Sequence, residues 1–234
     1  MDLFLALILC HNVTPVYPEP PREASGGQED DNNDQDDPQN REASSNKDIY
    51  FVKKEFQAAS PDEIALVKYA EEMGMVLLQR EEKFIQIEDS NGHQHTYDIL
   101  ENFPFSSDTK RMGIILKNRQ TKQIMFYLKG AETVMEIKTR PNQRDSLREN
   151  CEQLAQDGLR TLVITQKELK EDRYDDFRYH YSKAKTSLHQ REDLMQQAVE
   201  SIEESMEFLA VTGVEDKLQE KVLETIEKVR SAKI

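Results

Sequence analysis

The segment from Arg111 to Lys129, RMGIILKNRQTKQIMFYLK, contains the clearest structural signal in this chain. Its two ends, Arg111–Lys117 and Gln123–Lys129, are apolar and rich in β-branched and aromatic residues, which favours strands. The polar run Asn118–Lys122 between them predicts a turn, so the two strands should pair antiparallel. We therefore expect a sheet that meanders through neighbouring antiparallel strands.

Strand-like and helix-like stretches alternate along the rest of the chain. Short apolar runs between polar turns predict further strands at 75–79, 84–88, 95–100, 160–166 and 208–212. Helical spacing of apolar residues predicts helices at 60–73, 142–157, 168–204 and 215–233, the third broken near 186–191. This mixture predicts an α+β fold, a mostly antiparallel sheet flanked by helices.

The predicted helix near residue 60 has a dense start signal, Ser60-Pro61-Asp62-Glu63. Ser60 is a natural N-cap, Pro61 fits the first helical position, and Glu63 can complete a capping box. The Glu63 carboxylate could instead accept a hydrogen bond from the amino group of an adenine ring. Both interpretations are open at the level of the sequence.

The charge of the chain excludes some partners. Its 234 residues carry a formal net charge of −14, which repels nucleic acids and anionic lipid surfaces. Residues 18–48 hold ten acidic side chains against three basic ones and almost no apolar residue, so they predict a disordered insertion. An acidic module that binds a protein partner through this segment is the alternative function.

Common catalytic and metal-binding patterns are missing from the sequence. Cys10 and Cys151 lie far apart and in no motif, which excludes zinc by cysteine spacing and favours a reducing compartment. His93 and His95 would share a strand face, but no third ligand accompanies them. Neither a dinucleotide-binding glycine fingerprint nor a P-loop occurs. We expect no catalytic residue and no metal ligand in this chain.

Three short islands place a ring or a cation at the end of an apolar run. They are Phe103–Met112, Lys129–Glu132 and Gly158–Leu162. An exposed ring can stack on a flat base, and lysine or arginine side chains can hold phosphates. Each island also has an ordinary structural explanation, with Phe105 in the core, Lys129 as a strand-end lysine and Arg160 in an ion pair.

Together and in this order, the islands resemble the nucleotide-binding (N) domain of P4-type ATPases, the lipid-flippase branch of the P-type ATPases. The matching motifs are Ala59-Ser60-Pro61-Asp62-Glu63, Lys110-Arg111-Met112, Lys129-Gly130-Ala131, Gly158-Leu159-Arg160-Thr161-Leu162 and Thr212–Gln219. Further residues resemble the class-2 branch, which works at the Golgi and endosomes: Phe103-Pro104-Phe105, Gly113 and Gly213-Val214.

The resemblance implies a set of contacts with the base of ATP. Phe105 would stack on adenine, and Glu63 would lie at the edge of the adenine ring. Lys129 would form the floor of the same pocket. These roles are carried over from the family by position in the matching motifs.

The resemblance also implies contacts beside and beyond the base. Ser107 and Lys110 would flank the pocket, and Arg160 would reach toward the phosphates. Ser107 stands where calcium pumps usually have an arginine, which places extra weight on Arg160. Mg²⁺ would arrive with the nucleotide, its protein ligands lying outside this chain.

The family's Asp-Lys-Thr-Gly-Thr phosphorylation motif and its magnesium-binding segment do not occur in this sequence. We therefore expect a fragment that positions ATP for transfer of a phosphoryl group to an aspartate elsewhere, and that is inactive alone. Residues 1–17 would be a piece of the HAD-like phosphorylation domain and 18–48 the acidic insertion. Residues 49–212 would form the N domain, and 213–234 a hinge at Asp216 with a further piece of the phosphorylation domain.

The resemblance further implies the setting of this domain. The parent would be a multi-pass membrane translocase, with this domain on the cytosolic face of the trans-Golgi network or endosomes. Its partners would be ATP and the rest of the same polypeptide, with phospholipid contacted only through the parent. No nucleic acid is expected among the partners.

Overall fold

A seven-stranded antiparallel sheet forms the centre of the protein, whose computed structural model describes residues 2–17, 54–215 and 221–232. Its strands follow one another in chain order, so the sheet is a continuous meander. Two short strands pair with each other outside it, β1 (Thr14–Val16) and β2 (Glu55–Gln57). The strands of the large sheet are β3 (Val76–Arg80), β4 (Phe84–Glu88), β5 (Gln94–Ser106), β6 (Arg111–Asn118), β7 (Ile124–Gly130), β8 (Arg160–Leu169) and β9 (Glu207–Val214).

Helices cover both faces of this sheet. Two of them, α1 (Asp2–Leu9) and α2 (Pro61–Glu72), contribute to the hydrophobic core on one face. Four others build the core on the opposite face: α3 (Glu132–Lys138), α4 (Arg144–Gln156), α5 (Glu171–Lys185) and α6 (Arg191–Ile202). The last described helix, α7 (Val222–Ser231), has no buried residue.

The central strands are buried on both sides, which explains their unbroken apolar sequence. Residues 111–116 of β6 are all buried. Ile114 and Leu116 belong to the core beneath α1 and α2, whereas Ile115 belongs to the opposite core. Successive side chains of a strand point to opposite faces, so a strand covered on both faces needs apolar residues at consecutive positions.

The predicted α+β class with its antiparallel meander is confirmed. The predicted break between two helices is also confirmed, because α5 ends at Lys185 and α6 begins at Arg191. One strand is longer than predicted, since β5 continues from Gln94 to Ser106 rather than ending at Leu100. Thus Phe105 belongs to a strand, because pairing with β6 outweighs the weak strand preference of Pro104.

The N-terminal helix packs into the same core as the sheet. Leu7, Ile8 and Leu9 of α1 are at most 2% exposed and lie in the cluster that contains Tyr127. Residues 2–17 are thus attached to this unit, and the predicted domain boundaries remain predictions. The predicted disorder of residues 18–48 and the predicted hinge at Asp216 fall outside the described residues.

His11, two residues after the end of α1, is buried and hydrogen-bonds to the backbone on both sides of it. The Nε2 atom of His11 donates to the carbonyl oxygen of Ile8 at 2.8 Å, and Nδ1 accepts from the backbone amide of Val13 at 2.9 Å. Burial lowers the pKa of His11 well below the usual 6.5, and the nearby charges of Arg80 and Lys129 lower it further. The neutral ring therefore fits the folded state, because a second ring proton would remove the acceptor that Val13 uses.

We expect the stability of the domain to fall in mild acid because of His11. Below about pH 6.5 the unfolded chain takes up a proton on this ring and the folded chain does not. The free energy of unfolding should therefore drop by about 1.4 kcal/mol per pH unit from this group. Urea unfolding between pH 7.5 and 5 measures the slope.

His11→Asn supplies the comparison, since its amide can accept from Val13 without titrating. It should flatten the slope, whereas His189→Asn, at an exposed residue, should leave the slope intact. Asp89, whose pKa is lowered by hydrogen bonds from His95 and from the His93 amide, contributes only at more acidic pH. An unchanged slope in His11→Asn would contradict the assignment.

Candidate functional site

The predicted site residues lie at one end of the sheet. The β5–β6 hairpin ends there, and Met112 near the start of β6 pairs with Lys129 near the end of β7. Gly130 in turn pairs with Val163 of β8, so Arg160 at the start of β8 extends beyond the end of β7. Helix α2 begins beside this edge, as its ion pairs with β7 and β8 show.

The closest contact in this group joins Lys129 and Glu63. The Nζ atom of Lys129 donates to Oε1 of Glu63 at 2.9 Å, and the two side chains are 6% and 12% exposed. The backbone places this ammonium in the core face of β7, where an unpaired charge would be costly. A carboxylate from α2 supplies the opposite charge, so the pair is a pre-formed polar contact inside an otherwise apolar layer.

The predicted capping box of α2 is wrong. Ser60 is the N-cap residue and Pro61 opens the helix as predicted, but the Ser60 side chain makes no capping hydrogen bond. The Glu63 carboxylate binds Lys129 instead. A capping interaction is worth about 1 kcal/mol, whereas a buried ammonium without a partner costs several, so the pairing with Lys129 prevails.

Arg160 forms an ion pair with the residue next to Glu63. Its Nη1 atom donates to Oδ2 of Asp62 at 2.6 Å, with the two side chains 56% and 24% exposed. The ordinary explanation considered for Arg160, an ion pair with an acidic neighbour, is therefore correct. Because Asp62 and Glu63 are adjacent on α2, the first turn of that helix contacts both cations.

Phe105 lies on an irregular part of the same edge. Phe103 pairs with Gly113 and Ser106 pairs with Arg111, so β5 has one more residue than β6 between these positions. Such a bulge redirects side chains and occurs often beside functional sites. The Phe105 side chain is 62% exposed, so the explanation that it is a core residue is wrong. An aromatic ring held open on a rigid strand offers a flat apolar surface.

Ser107 and Lys110 belong to the turn between β5 and β6, and both are exposed. The backbone of this turn is closely held. The Lys110 amide donates to the Ser106 carbonyl at 2.8 Å, and the Lys110 carbonyl accepts from the Ala131 amide at 3.0 Å. Among the described residues, neither side chain makes a hydrogen bond to Glu63, Lys129 or Arg160, so the turn contributes open donors at the rim.

Gly130 allows the turn to approach β7 so closely. A Cβ atom at this position would lie 2.7 Å from the Arg111 Cβ atom and 2.8 Å from the Lys110 carbonyl oxygen. Both distances are shorter than any relaxed contact, and the Lys110 oxygen belongs to the backbone. Only glycine therefore permits the hydrogen bond that joins Lys110 to Ala131.

Arg80 was not predicted as a site residue, yet its charge acts on Glu63. Its Nη2 atom donates to Asn12 at 3.1 Å, and burial lowers its pKa while the Glu63 charge raises it. Cys10 lies in the same buried surroundings, and burial raises the pKa of its thiol to about 11. Arg80 has no motif around it, so only the folded chain reveals its position near Glu63.

The arrangement combines an exposed ring with cations on neighbouring strands. The ring of Phe105 and the exposed Lys110 share one hairpin, and Lys129 lies on the next strand. Arg160 follows on the strand after that. This geometry can hold a flat heterocycle against the ring while cations face an attached anion.

His93 and His95, the histidines predicted to share a strand face, both lie beside the carboxylate of Asp89. His95 Nε2 lies 3.0 Å from Oδ2 of Asp89, and His93 Nδ1 lies 3.5 Å from the same atom. Within residues 2–17, 54–215 and 221–232, no three histidine, cysteine or acidic side chains form a group suited to a metal ion. Nor does any helix of these ranges have the length and apolar character needed to cross a membrane.

Comparison with known families assigns the class of protein. The family described as P-type ATPase, cytoplasmic domain N, matches residues 40–221. The chain therefore belongs to the P-type ATPases and represents their cytoplasmic domain N.

The individual relatives of this chain are phospholipid-transporting ATPases. The chain is 43% identical to the probable phospholipid-transporting ATPase IIB of Mus musculus, over 98% of this chain and 19% of that protein. It is 38% identical to the phospholipid-transporting ATPase NEO1 of Saccharomyces cerevisiae, over 100% of this chain and 18% of that protein. Phospholipid-transporting ATPase 11C of Mus musculus is 33% identical over 75% of this chain. The chain thus spans about a fifth of the length of the first two relatives.

Proposed function

We propose that this chain binds ATP at the edge formed by α2, the β5–β6 hairpin and the ends of β7 and β8. The observation that carries the proposal is that the exposed Phe105 and the Lys129–Glu63 pair lie at the same end of the sheet, on β5 and β7, which flank β6. Membership of the P-type ATPases supports a nucleotide as the ligand. This edge carries the cations Lys129 and Arg160 together with their acidic partners Glu63 and Asp62, in a chain of net charge −14.

Each proposed contact follows from the position of its side chain. Phe105 stacks on adenine, and the Glu63 carboxylate accepts from the adenine amino group while its hydrogen bond from Lys129 holds it in place. Ser107 and Lys110 bind from the exposed turn at the rim of the pocket. Arg160 reaches the phosphates once it exchanges Asp62 for them, because a guanidinium fits a phosphate by two parallel hydrogen bonds.

The chemistry of phosphoryl transfer requires positioning and charge neutralisation more than covalent help from the protein. In this proposal the chain supplies the positioning of ATP, and Mg²⁺ arrives bound to its phosphates. The aspartate that receives the phosphoryl group belongs to another part of the parent protein. We accordingly expect the isolated chain to bind ATP without hydrolysing it.

The relatives support a proposal for the parent protein. Their names describe phospholipid-transporting ATPases, so we propose that the parent is a P4-type translocase with this domain on the cytosolic side. The class-2 motifs noted in the sequence favour the trans-Golgi network and endosomes. The chain would contact phospholipid only through the remainder of its polypeptide.

Calorimetric titration of the 234-residue chain with ATP tests the proposed function. We expect saturable binding with a dissociation constant of about 1 mM or lower, which corresponds to a free energy of about −4 kcal/mol or better. Inorganic triphosphate, which lacks the base, should bind more weakly because it cannot use Phe105. A folded sample that shows no heat of binding at several millimolar ATP would overturn the proposal.

Asp62 should compete with the ligand for Arg160. Asp62→Asn removes one charge that pairs with the guanidinium, so we expect ATP to bind more tightly. The pair is partly exposed, and surface pairs are worth about 0–1 kcal/mol, so the gain should be at most about fivefold. Glu72→Gln, an exposed acid at the other end of α2, serves as a control that should leave affinity unchanged. Weaker binding by Asp62→Asn would show that Asp62 supports the ligand instead.

A further inference from the structure

The β5–β6 hairpin has a buried ionic anchor on the sheet face that packs against α3 to α6. Arg111, the first residue of β6, is 8% exposed, and its Nε atom donates to Oε1 of Glu203 at 2.7 Å. Glu203 follows the last residue of α6 and is 2% exposed. Burying both charges away from water is costly. The attraction between them offsets this cost only if the two groups are close and make further hydrogen bonds.

One further hydrogen bond of the same guanidinium reaches the turn of the hairpin. Arg111 Nη1 donates to the carbonyl oxygen of Thr109 at 3.2 Å. Thr109 lies between Ser107 and Lys110, two of the exposed residues of the turn. The Ala131 amide holds the Lys110 carbonyl from β7. Besides its own internal hydrogen bonds, the turn is therefore held by a contact from the backbone after β7 and by one from the Arg111 side chain.

The Arg111 side chain lies on the face of the sheet opposite to the proposed ATP contact Lys129. Met112 and Lys129 pair on the face covered by α1 and α2, whereas Arg111 points to the opposite face and ends on Glu203. Its guanidinium is occupied by Glu203 and by the Thr109 carbonyl. Any influence of Arg111 on a ligand must therefore act through the turn.

We propose that Arg111, held by Glu203, is a positioning residue that fixes the turn bearing Ser107 and Lys110 and so sets the affinity for the phosphate portion of ATP. This inference rests on the proposed function. It links the end of α6 to the nucleotide edge through a single buried side chain. Stacking on Phe105 should not depend on the Arg111 guanidinium, because Phe105 lies in the bulge between the Phe103–Gly113 and Ser106–Arg111 pairs, which involve the backbone alone.

Lys138 provides a matched control within the same ionic cluster. Its Nζ atom lies 2.5 Å from Oε2 of Glu203, the oxygen that Arg111 Nε does not use. Lys138 is the last residue of α3, and among the described residues no hydrogen bond or ion pair joins it to the turn. Lys138→Met therefore removes one ion pair of the buried Glu203 carboxylate and leaves the hydrogen bond from Arg111 to Thr109 in place. A comparison of the two variants thus separates a loss of stability from a loss of positioning.

The main test variant is Arg111→Lys. It keeps the positive charge for Glu203, but an ammonium lacks the planar fork that reaches Glu203 and Thr109 together. We expect the affinity for ATP to fall about three- to thirty-fold, the range typical of coupling through a packed side chain. Affinity for adenosine should stay within about twofold of wild type. Amide hydrogen exchange at Ala131 should become faster, because its acceptor on the turn is released.

Three measurements on the 234-residue chain decide the matter: calorimetric titration with ATP and with adenosine, urea unfolding, and amide exchange by NMR. Lys138→Met should lower the free energy of unfolding and leave ATP affinity and Ala131 exchange unchanged. Unchanged ATP affinity in folded Arg111→Lys would overturn the positioning role, whatever happens to exchange. An equal loss of affinity in Lys138→Met would also overturn it, since stability alone would then explain the loss.

Two further outcomes are distinguishable. A wild-type chain that does not bind ATP overturns the proposed function, whereas binding by wild type and equally by Arg111→Lys overturns only the positioning role. If Arg111→Lys does not fold, the near-isosteric Glu203→Gln replaces it. That variant weakens the hold on Arg111 and should lower ATP affinity at least threefold, and unchanged affinity would overturn the inference.

Discussion

Replacing Lys129 by alanine should abolish ATP binding and destabilise the domain. The variant removes a cation from the proposed pocket and leaves the Glu63 carboxylate, only 12% exposed, without its partner. Breaking a buried ion pair by removing one member costs about 3–5 kcal/mol in other proteins. We expect a loss of stability near the lower end of that range, because Glu63 retains some contact with solvent. Urea unfolding and calorimetric titration measure the two effects.

A second substitution separates folding from binding at this position. Lys129→Met combined with Glu63→Gln removes both charges while keeping similar volumes, so much of the stability should return. ATP binding should not return, because both proposed contacts with the base are changed. Lys185→Met removes an exposed cation paired with Glu101 and should change neither quantity appreciably. Recovery of full ATP affinity in the double variant would contradict the roles of Lys129 and Glu63.

Phe105→Ala should weaken ATP binding strongly without unfolding the domain. Loss of one aromatic platform under a base costs about 1–3 kcal/mol, which is about 5- to 150-fold in affinity. The ring is 62% exposed, so its removal should lower the free energy of unfolding by less than about 1 kcal/mol. Calorimetric titration of the folded variant with ATP gives the affinity directly.

Two controls make the result for Phe105 specific. Phe105→Trp keeps a flat ring at the bulge, so ATP affinity should remain close to that of wild type. Tyr179→Ala removes an equally exposed aromatic residue from α5 and should have no effect on binding. Wild-type affinity in Phe105→Ala would exclude stacking at this residue and leave the cations to explain any binding.

Local sequence patterns predicted most of the elements, because strands and helices reflect the spacing of apolar residues. The alternating turns and apolar runs around Arg111–Lys129 specified an antiparallel meander, which the structure confirms. The end of β5 was not predictable, because a proline and a bulge there are tolerated only when β6 pairs alongside.

The candidate site was predictable only as a set of separate motifs. Motif order drew attention to Phe105, Lys129 and Arg160, but not to the partners of their charges. For Glu63 the sequence left two interpretations open, a capping box with the nearby Ser60 and a contact with adenine. The structure pairs it with Lys129, 66 positions away, because a charged side chain buried in β7 needs an opposite charge wherever the chain can supply one.

The sequence by itself determined the order of the strands and the family, and it predicted the residues that we propose hold a nucleotide. Only the tertiary structure decided which acid neutralises which base, as in the Arg111–Glu203 pair across 92 positions. The physical reason is the range of the two effects. Strand and helix preferences act between residues near each other in sequence, whereas the cost of burying a charge depends on neighbours that meet only when the chain has folded.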